Sequence, residues 1–410
     1  MAEETLTQET PIKEISQIPI ITEDPNLVHN KFIDDILSKL NNNTFKIYIY
    51  VPPMNIASGG VSVLFKNAHI LKDAGYDVSM VYEPRADQKA SYDASMKAKK
   101  RLDVFEPFKP TWLGDLALNI KMQCLGEGEI KFNDGTSEKC TPLTVSPEDF
   151  LIIPEGFPNI MEKTSKMPCK RIILAQSWYY ILNSMNMGQK WQHFGIKDVI
   201  SVSDGITQYV NAIMPGLTIK QYSQSVDRKI FKPVDMTSKN PVIVFSPGRT
   251  ADAVQKTYNV IKTFYSFFPH LAWIRVDELK GLSREDYAER LGAAGICLYT
   301  DEIAGFGTMP LEAMAMGTHV VGWTPLGGKE YMKADNGFWA NNGDIFQLAE
   351  LLGTAVERWL SGKMDTDEIQ AEYENTLSRY TEEKESVDFV NIISEYKNER
   401  IAELSYLKRA

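Results

Sequence analysis

The chain has 410 residues and a net charge of −10, and 43% of its residues are hydrophobic. This length predicts two or three domains, each with its own core. The charge argues against a surface coated with phosphate-binding residues, but not against a local basic cleft. No run of about 18 apolar residues occurs, so the sequence predicts no membrane-spanning helix.

The N-terminus and the cysteines favour a cytoplasmic protein. The first ten residues lack a basic segment followed by an apolar one, so we expect no secretory signal there. The cysteines are far apart and lack the CxxC spacing, which disfavours a zinc site and a disulfide framework. We therefore expect reduced thiols at all four cysteines, which are Cys124, Cys140, Cys169 and Cys297.

Residues 1–43 are predicted to be an acidic N-terminal extension, in which an apolar pattern over 25–40 favours a helix. A first domain follows over 44–222, beginning with buried strands at 45–51 and 77–82. Gly59 and Gly60 lie between these strands, at the start of a helical pattern. In a parallel sheet this turn would lie at the carboxyl edge, where ligands bind. The G-x-G-x-x-G spacing is missing, so a simple tight turn is the alternative interpretation.

An irregular insertion is predicted over about 84–148, where an Asp-Gly pair at 134–135 is typical of a hairpin turn. Buried strands return at 150–154, 171–175 and 198–202. Their carboxyl ends carry the candidate acceptor-side residues, which are Glu155, Gln176, Ser177 and Trp178. Trp178, Tyr179 and Tyr180 form a candidate aromatic platform for an acceptor, with ordinary packing as the alternative.

A second doubly wound α/β domain is predicted over 223–375, with strands at 241–246, 271–276, 295–299 and 319–323. Arg249 follows the first of these strands in a glycine-containing turn, and Lys256 lies about two helical turns further on. Two cations beside such a turn suit a diphosphate. Residues 376–410 are predicted to form a helix that returns to the first domain.

The stretch 299–317 combines loop glycines with one isolated carboxylate. Gly305 and Gly307 should leave the amides at a helix start open to an anion. We expect Pro310 at the first helical position and Glu312 in the first turn, where the helix dipole favours a negative charge. Gly317 is predicted to be a left-handed cap. A carboxylate that only caps the helix is the alternative interpretation of Glu312.

These segments resemble family 4 of the glycosyltransferases, which are retaining nucleotide-sugar enzymes with the GT-B fold of two facing Rossmann-like domains. The strongest match is Gly305-Phe-Gly-Thr-Met-Pro-Leu-Glu-Ala-Met-Ala-Met-Gly317. Moderate matches are the glycine turn at 59–60, Ser201-Val-Ser-Asp204 with 225–233, and Gly248-Arg249 with Lys256. The resemblance covers most of the chain from residue 45 to about 349.

The resemblance implies a donor site between the domains that needs no metal or cofactor, with a UDP-sugar as the expected donor. Arg249 and Lys256 would neutralise the departing diphosphate, and Glu312 would accept hydrogen bonds from the ribose. The donor would also contact Gly59, Gly60, Gly305, Phe306, Gly307, Thr308 and Met309. Catalysis would rest on positioning and on stabilising the leaving group.

Two departures from the family pattern concern the sugar. The family usually has a glutamate eight positions before Glu312, where this chain has Ala304, so Glu302 or Asp301 is the expected substitute. Many members also have a histidine where this chain has Gln176. A non-catalytic relative that binds a nucleotide sugar therefore stays an alternative.

The acceptor is expected to be a saccharide or a glycoconjugate. A hydroxymethylated DNA base is a second candidate, disfavoured by the net charge although residues 97–101 form a basic run. Further alternatives are an epimerase and a module that recruits a partner through its acidic extension. The sequence leaves the sugar, the nucleotide base and the oligomeric state open.

Overall fold

Within the described residues, the chain forms two parallel β-sheets and one antiparallel pair of strands. The structure is a computed structural model that describes residues 25–52, 59–83, 120–125, 128–131, 137–140, 142–246, 248, 250–364 and 366–409. The predictions that concern residues 1–24, the basic run at 97–101 and Arg249 lie outside these residues.

The first sheet has the strand order β3-β2-β1-β6-β7-β8-β9. Its central strands are buried along nearly their whole length, as expected of a parallel sheet covered on both faces. The order reverses between β1 and β6, and this point is where such sheets bind ligands. The strands are β1 (Lys46–Tyr50), β2 (Asp77–Tyr82), β3 (Lys121–Cys124), β6 (Phe150–Pro154), β7 (Lys170–Ala175), β8 (Asp198–Ser201) and β9 (Thr218–Gln221).

Two short strands, β4 (Gly128–Lys131) and β5 (Ser137–Cys140), pair antiparallel, in agreement with the hairpin predicted around residues 134–135. The helices of this half are α1 (Pro25–Asn41), α2 (Gly59–Asp73), α3 (Pro158–Lys163), α4 (Trp178–Asn183) and α5 (Asp204–Ile213). Helix α1 buries Ile33, Ile36 and Leu40. The expectation of an extension over 1–43 therefore does not hold for residues 25–41, because their apolar face joins the core.

The second sheet has the order β11-β10-β12-β13-β14 and reverses between β10 and β12. Its strands are β10 (Asn240–Phe245), β11 (Arg275–Glu278), β12 (Ala294–Tyr299), β13 (His319–Thr324) and β14 (Phe338–Asn341). The strand predicted at 271–276 begins later, because Pro269–Leu271 forms a 3-10 turn instead. The helices are α6 (Ala251–Phe267), α7 (Arg284–Ala293), α8 (Thr308–Ala315), α9 (Ile345–Leu360) and α10 (Thr366–Leu377).

The last helix, α11 (Glu382–Arg409), packs against α1 and α2 of the first half. The Tyr396 hydroxyl donates to the carbonyl of Val199 at 2.7 Å, directly onto strand β8. The rings of Tyr222 and Phe389 lie 4.9 Å apart. The C-terminal helix is thus part of the first domain's core.

Cys124 is disulfide-bonded, so the expectation of reduced thiols is wrong for this cysteine. Cys169 and Cys297 are free and buried. None of the helices in the described ranges combines the length and the apolar character that a bilayer crossing requires. The same ranges contain no group of three or more His, Cys, Asp or Glu side chains placed to hold a metal ion.

Candidate active site

The two sheets meet at the carboxyl ends of β7, β8 and β12. The Ser177 hydroxyl donates to the carbonyl of Ile303 at 2.9 Å, and the Ser203 hydroxyl donates to the carbonyl of Gly305 at 2.6 Å. Both serines are buried. The loop that follows β12 is therefore held by two hydroxyls of the other domain, directly beside the predicted donor helix.

Glycines make this contact possible because backbone lies directly on backbone. A Cβ atom on Gly305 would lie 1.6 Å from the carbonyl oxygen of Gln176. One on Gly205 would lie 2.1 Å from the Leu326 oxygen, again across the two domains, and one on Gly327 would lie 1.8 Å from the Gly305 oxygen within the second domain. No side chain fits at these three positions. We call this contact the interdomain seam, formed by Gln176, Ser177, Ser203 and Gly205 against Ile303, Gly305, Leu326 and Gly327.

The predicted glycine turn of the first domain lies close to the seam. The side-chain amide of Gln176 lies 3.6 Å from the Cβ position of Gly60, the second residue of α2. Among the described residues, no atom lies within 4 Å of the Cβ position of Gly59. The structure thus brings the start of α2, Gln176 and Gly305 together, which are three segments far apart in sequence.

The donor helix α8 begins at Thr308 and is preceded by Gly307, with a φ of 80° and no side-chain cap. An uncapped helix start presents amides that can bind an anion. Pro310 is the third helical residue and Glu312 the fifth, so the predicted placement of both is wrong. The left-handed glycine allows the helix to begin two residues before the proline. Gly317 has a φ of 71°, as predicted.

Two residues of the predicted donor set point their side chains into the core. The Phe306 ring packs at 5.6 Å from Tyr331 and 5.4 Å from Tyr380. Met309 is also buried. Only the backbone of these two residues can therefore serve a ligand in the cleft.

Glu312 is half-buried, and its Oε2 accepts a hydrogen bond from the Tyr287 hydroxyl at 3.1 Å. Burial raises the pKa of the Glu312 carboxyl, while the Tyr287 hydrogen bond, the charge of Arg284, a hydrogen bond from Thr308 and the charge of Lys66 act to lower it. Tyr287, Arg284 and Lys66 are not among the residues predicted from the sequence. Their positions in ordinary helical patterns give no signal that they approach Glu312.

Lys256 is paired with two carboxylates. Its Nζ lies 2.9 and 3.2 Å from the two Glu302 oxygens and 3.0 Å from Asp252 Oδ2. The hydrogen bond to Glu302, followed by that to Asp252, raises the pKa of Lys256. The structure thus joins Lys256, predicted to neutralise the diphosphate, directly to Glu302, the expected substitute for the family's glutamate. Ala304, the residue that replaces the family's glutamate, is 2% exposed next to the seam.

Gly248, the residue before Arg249, packs tightly on helix α6. A Cβ atom there would lie 2.3 Å from the Cβ of Ala253. The predicted anion-binding turn therefore needs a glycine at this point, although Arg249 itself lies outside the described residues.

The acceptor-side aromatic residues form a cluster of edge-to-face rings. The Trp178 ring lies 6.1 Å from both Tyr179 and Tyr209, and Tyr179 lies 5.3 Å from Tyr180. Tyr180 is exposed, whereas Glu155 is buried. The cluster is thus packed on one side and open on the other.

No family model matches the chain. In sequence, it is 25% identical to an alpha-1,6-glucosyltransferase of Actinobacillus pleuropneumoniae serotype 7 over 235 residues, which are 54% of this chain and 67% of that protein. The chain is an enzyme of the glycosyltransferase type. Its predicted fold is confirmed by GT-B glycosyltransferases of known structure.

One of these is a mutant of TarM from S. aureus, solved with fondaparinux, alpha-GlcNAc-glycerol and UDP, which has a TM-score of 0.58 and 11% identity. The similarity covers 85% of this chain and 99% of TarM. Another is the pneumococcal O-GlcNAc transferase GtfA, solved with UDP and GlcNAc, with a TM-score of 0.54 and 10% identity. The similarity to GtfA covers 88% of this chain and 99% of GtfA. Membership of family 4 stays a prediction.

Proposed function

We propose that the chain is a retaining glycosyltransferase of the family 4 type, which moves a sugar from a UDP-sugar to a hydroxyl of a saccharide or glycoconjugate. The observation that carries the proposal is the uncapped start of α8 at Gly307 and Thr308, with Glu312 and Lys256 on the same domain. UDP accompanies both TarM and GtfA in their structures, and the relative from Actinobacillus supports glucose as a candidate sugar.

The donor would span the cleft with its diphosphate between the starts of α2 and α8. Backbone amides at two helix starts can hold the phosphates, and Lys256 adds positive charge without a metal ion. Glu312 would accept hydrogen bonds from the ribose hydroxyls. The chemistry then depends on holding the leaving diphosphate and on placing the acceptor beside the sugar.

The sugar would be bound differently from the family pattern. Ala304 offers no carboxylate, and Glu302 is engaged by Lys256. The seam itself offers the Gln176 side-chain amide and the loop backbone at Gly305, since its serine hydroxyls already bond the opposite loop. We therefore infer that uncharged groups of the protein, and not a carboxylate, form the hydrogen bonds to the sugar.

The test is nucleotide binding and sugar transfer in wild type and in Glu312→Ala. We expect calorimetry to show binding of UDP, and Glu312→Ala to weaken it about 10-fold to 100-fold, because charged hydrogen bonds to the ribose are lost. Glu312→Gln is the matched variant and should lose less. UDP-glucose should be hydrolysed or its sugar transferred.

An absence of binding to UDP, ADP and GDP would contradict the proposal. Binding with no turnover on any acceptor would instead identify a non-catalytic relative. Release of a free, isomerised nucleotide sugar would identify an epimerase.

A further inference from the structure

Lys256, one of the two cations predicted to meet the donor diphosphate, is already paired with carboxylates of the protein. Lys256 contacts both Glu302 oxygens and one Asp252 oxygen within 3.2 Å. We call these three residues the Lys256 cluster. Two carboxylates against one ammonium leave the cluster with an excess of negative charge. A diphosphate approaching Lys256 therefore meets a site whose charge opposes it.

The two carboxylates are not equivalent. Asp252 is 75% exposed and lies one turn before Lys256 on α6, where water screens the pair. Glu302 is 16% exposed and comes from the loop after β12. Gly343 makes room for it, because a Cβ atom at that position would lie 2.9 Å from Glu302 Oε1. Glu302 is thus the partner that a ligand must displace.

We propose that Glu302 competes with the donor diphosphate for Lys256, so that this ion pair opens when the donor binds. The inference rests on the proposed function. Only a ligand that offers Lys256 more negative charge than one carboxylate gains from the exchange. The pair therefore weakens the binding of a phosphate ligand that reaches Lys256 and leaves unchanged the binding of a ligand that does not. This role differs from that of a carboxylate that contacts the transferred sugar.

The experiment compares UDP and UMP binding by calorimetry in six full-length proteins. These are wild type, Glu302→Gln, Asp252→Asn, Lys256→Met, the double variant Lys256→Met with Glu302→Gln, and the control Glu289→Gln. Glu302→Gln should bind UDP about fivefold more tightly, since Lys256 is released from Glu302. The gain for UMP should be no larger, because UMP offers Lys256 less negative charge. Asp252→Asn should show a smaller gain. Lys256→Met should weaken UDP binding. The double variant Lys256→Met with Glu302→Gln should bind UDP little more tightly than Lys256→Met alone.

Glu289→Gln is the control for net charge. Glu289 is exposed on α7, whereas Lys256 and Asp252 lie on α6. Helix α7 contacts α8 through Tyr287, and α6 packs with α9. The substitution changes the net charge equally and should leave the UDP affinity unchanged. Damage to the structure could only weaken binding, so tighter binding by Glu302→Gln cannot arise from misfolding.

Unchanged or weaker UDP binding in Glu302→Gln would overturn the inference, because Glu302 would then be neutral or would position Lys256 for the phosphate. An equal gain in Glu289→Gln would also overturn it, since the effect would be one of net charge. If wild type binds none of the nucleotide diphosphates, the proposed function itself fails. The two failures are therefore distinguishable.

Discussion

His319 is fully buried on β13, and its Nδ1 lies 3.2 Å from the Tyr373 hydroxyl. Its Nε2 has no hydrogen-bond partner within the described ranges. Burial, with a smaller effect of the Lys239 charge, lowers the pKa of His319 from 6.5 to about 4. The histidine is therefore neutral in the folded protein at pH values where the unfolded chain binds a proton.

This lowered pKa predicts a loss of stability in mild acid. Between pH 6.5 and pH 4 the unfolded state binds more protons, so the free energy of unfolding falls as the pH falls. From pH 7 to pH 5 the contribution of His319 is about 2 kcal/mol. Glutamine in His319→Gln can keep a hydrogen bond to Tyr373. Between pH 7 and pH 5 the free energy of unfolding of this variant should fall by about 2 kcal/mol less than that of wild type. Urea unfolding at both pH values measures the difference. Equal losses in the two proteins would contradict the assignment.

Some functional residues can be recognised from their neighbours in the sequence, and others only from contacts between distant parts of the chain. Glu312 and Lys256 stand out in the sequence because a lone carboxylate and a cation after a glycine turn have recognisable settings. The pairing of Lys256 with Glu302 joins positions 46 residues apart. Tyr287 reaches Glu312 from a different helix. Such contacts depend on how helices pack on the sheet, which a single sequence does not show.

At the level of secondary structure, the loop after β12 has the tightest steric constraint. Gly305→Ala would place a methyl group 1.6 Å from the Gln176 oxygen, so the loop backbone must move. We expect a loss of about 2–3 kcal/mol in stability and weaker UDP binding, because the start of α8 moves with the loop.

The matched control is Gly156→Ala, where the nearest atom to the new methyl group would be Tyr180 Cβ at 3.5 Å. That substitution should change the stability little. Thermal unfolding and UDP calorimetry on both variants test the prediction. A Gly305→Ala protein with wild-type stability and affinity would show that the loop can adapt.

The elements themselves were largely predictable, and their ends were less so. Runs of buried aliphatic residues identify β1, β6, β10 and β12, because strands covered on both faces are almost continuously apolar. Helix α8 begins two residues before the position that Pro310 suggested. There the left-handed Gly307 decided the boundary, and the sequence does not distinguish a glycine of this kind from an ordinary loop glycine.

For the whole molecule, the seam sets the relation between the two domains. Its hydroxyls, Ser177 and Ser203, bond the opposite loop at 2.9 and 2.6 Å. We expect the double variant Ser177→Ala and Ser203→Ala to lose about 1–2 kcal/mol for each bond. X-ray scattering should give the double variant a larger radius of gyration than wild type in the absence of UDP. Adding UDP should decrease that radius.

Ser184→Ala is the control, because within the described residues this hydroxyl bonds the carbonyl of Tyr180, one turn back in the same segment, and no group of the other domain. It should scatter like wild type. A double variant with wild-type scattering would show that the glycine contacts alone hold the domains together.

Helix α11 crosses back to pack on α1, α2 and strand β8 after the chain has built the second sheet. The first domain is therefore made of two separate parts of the chain, with the second domain inserted between them. During synthesis, the second domain can fold while the first still lacks Phe389 and Tyr396, both fully buried in its core. The domain that emerges first from the ribosome is thus the last to be finished.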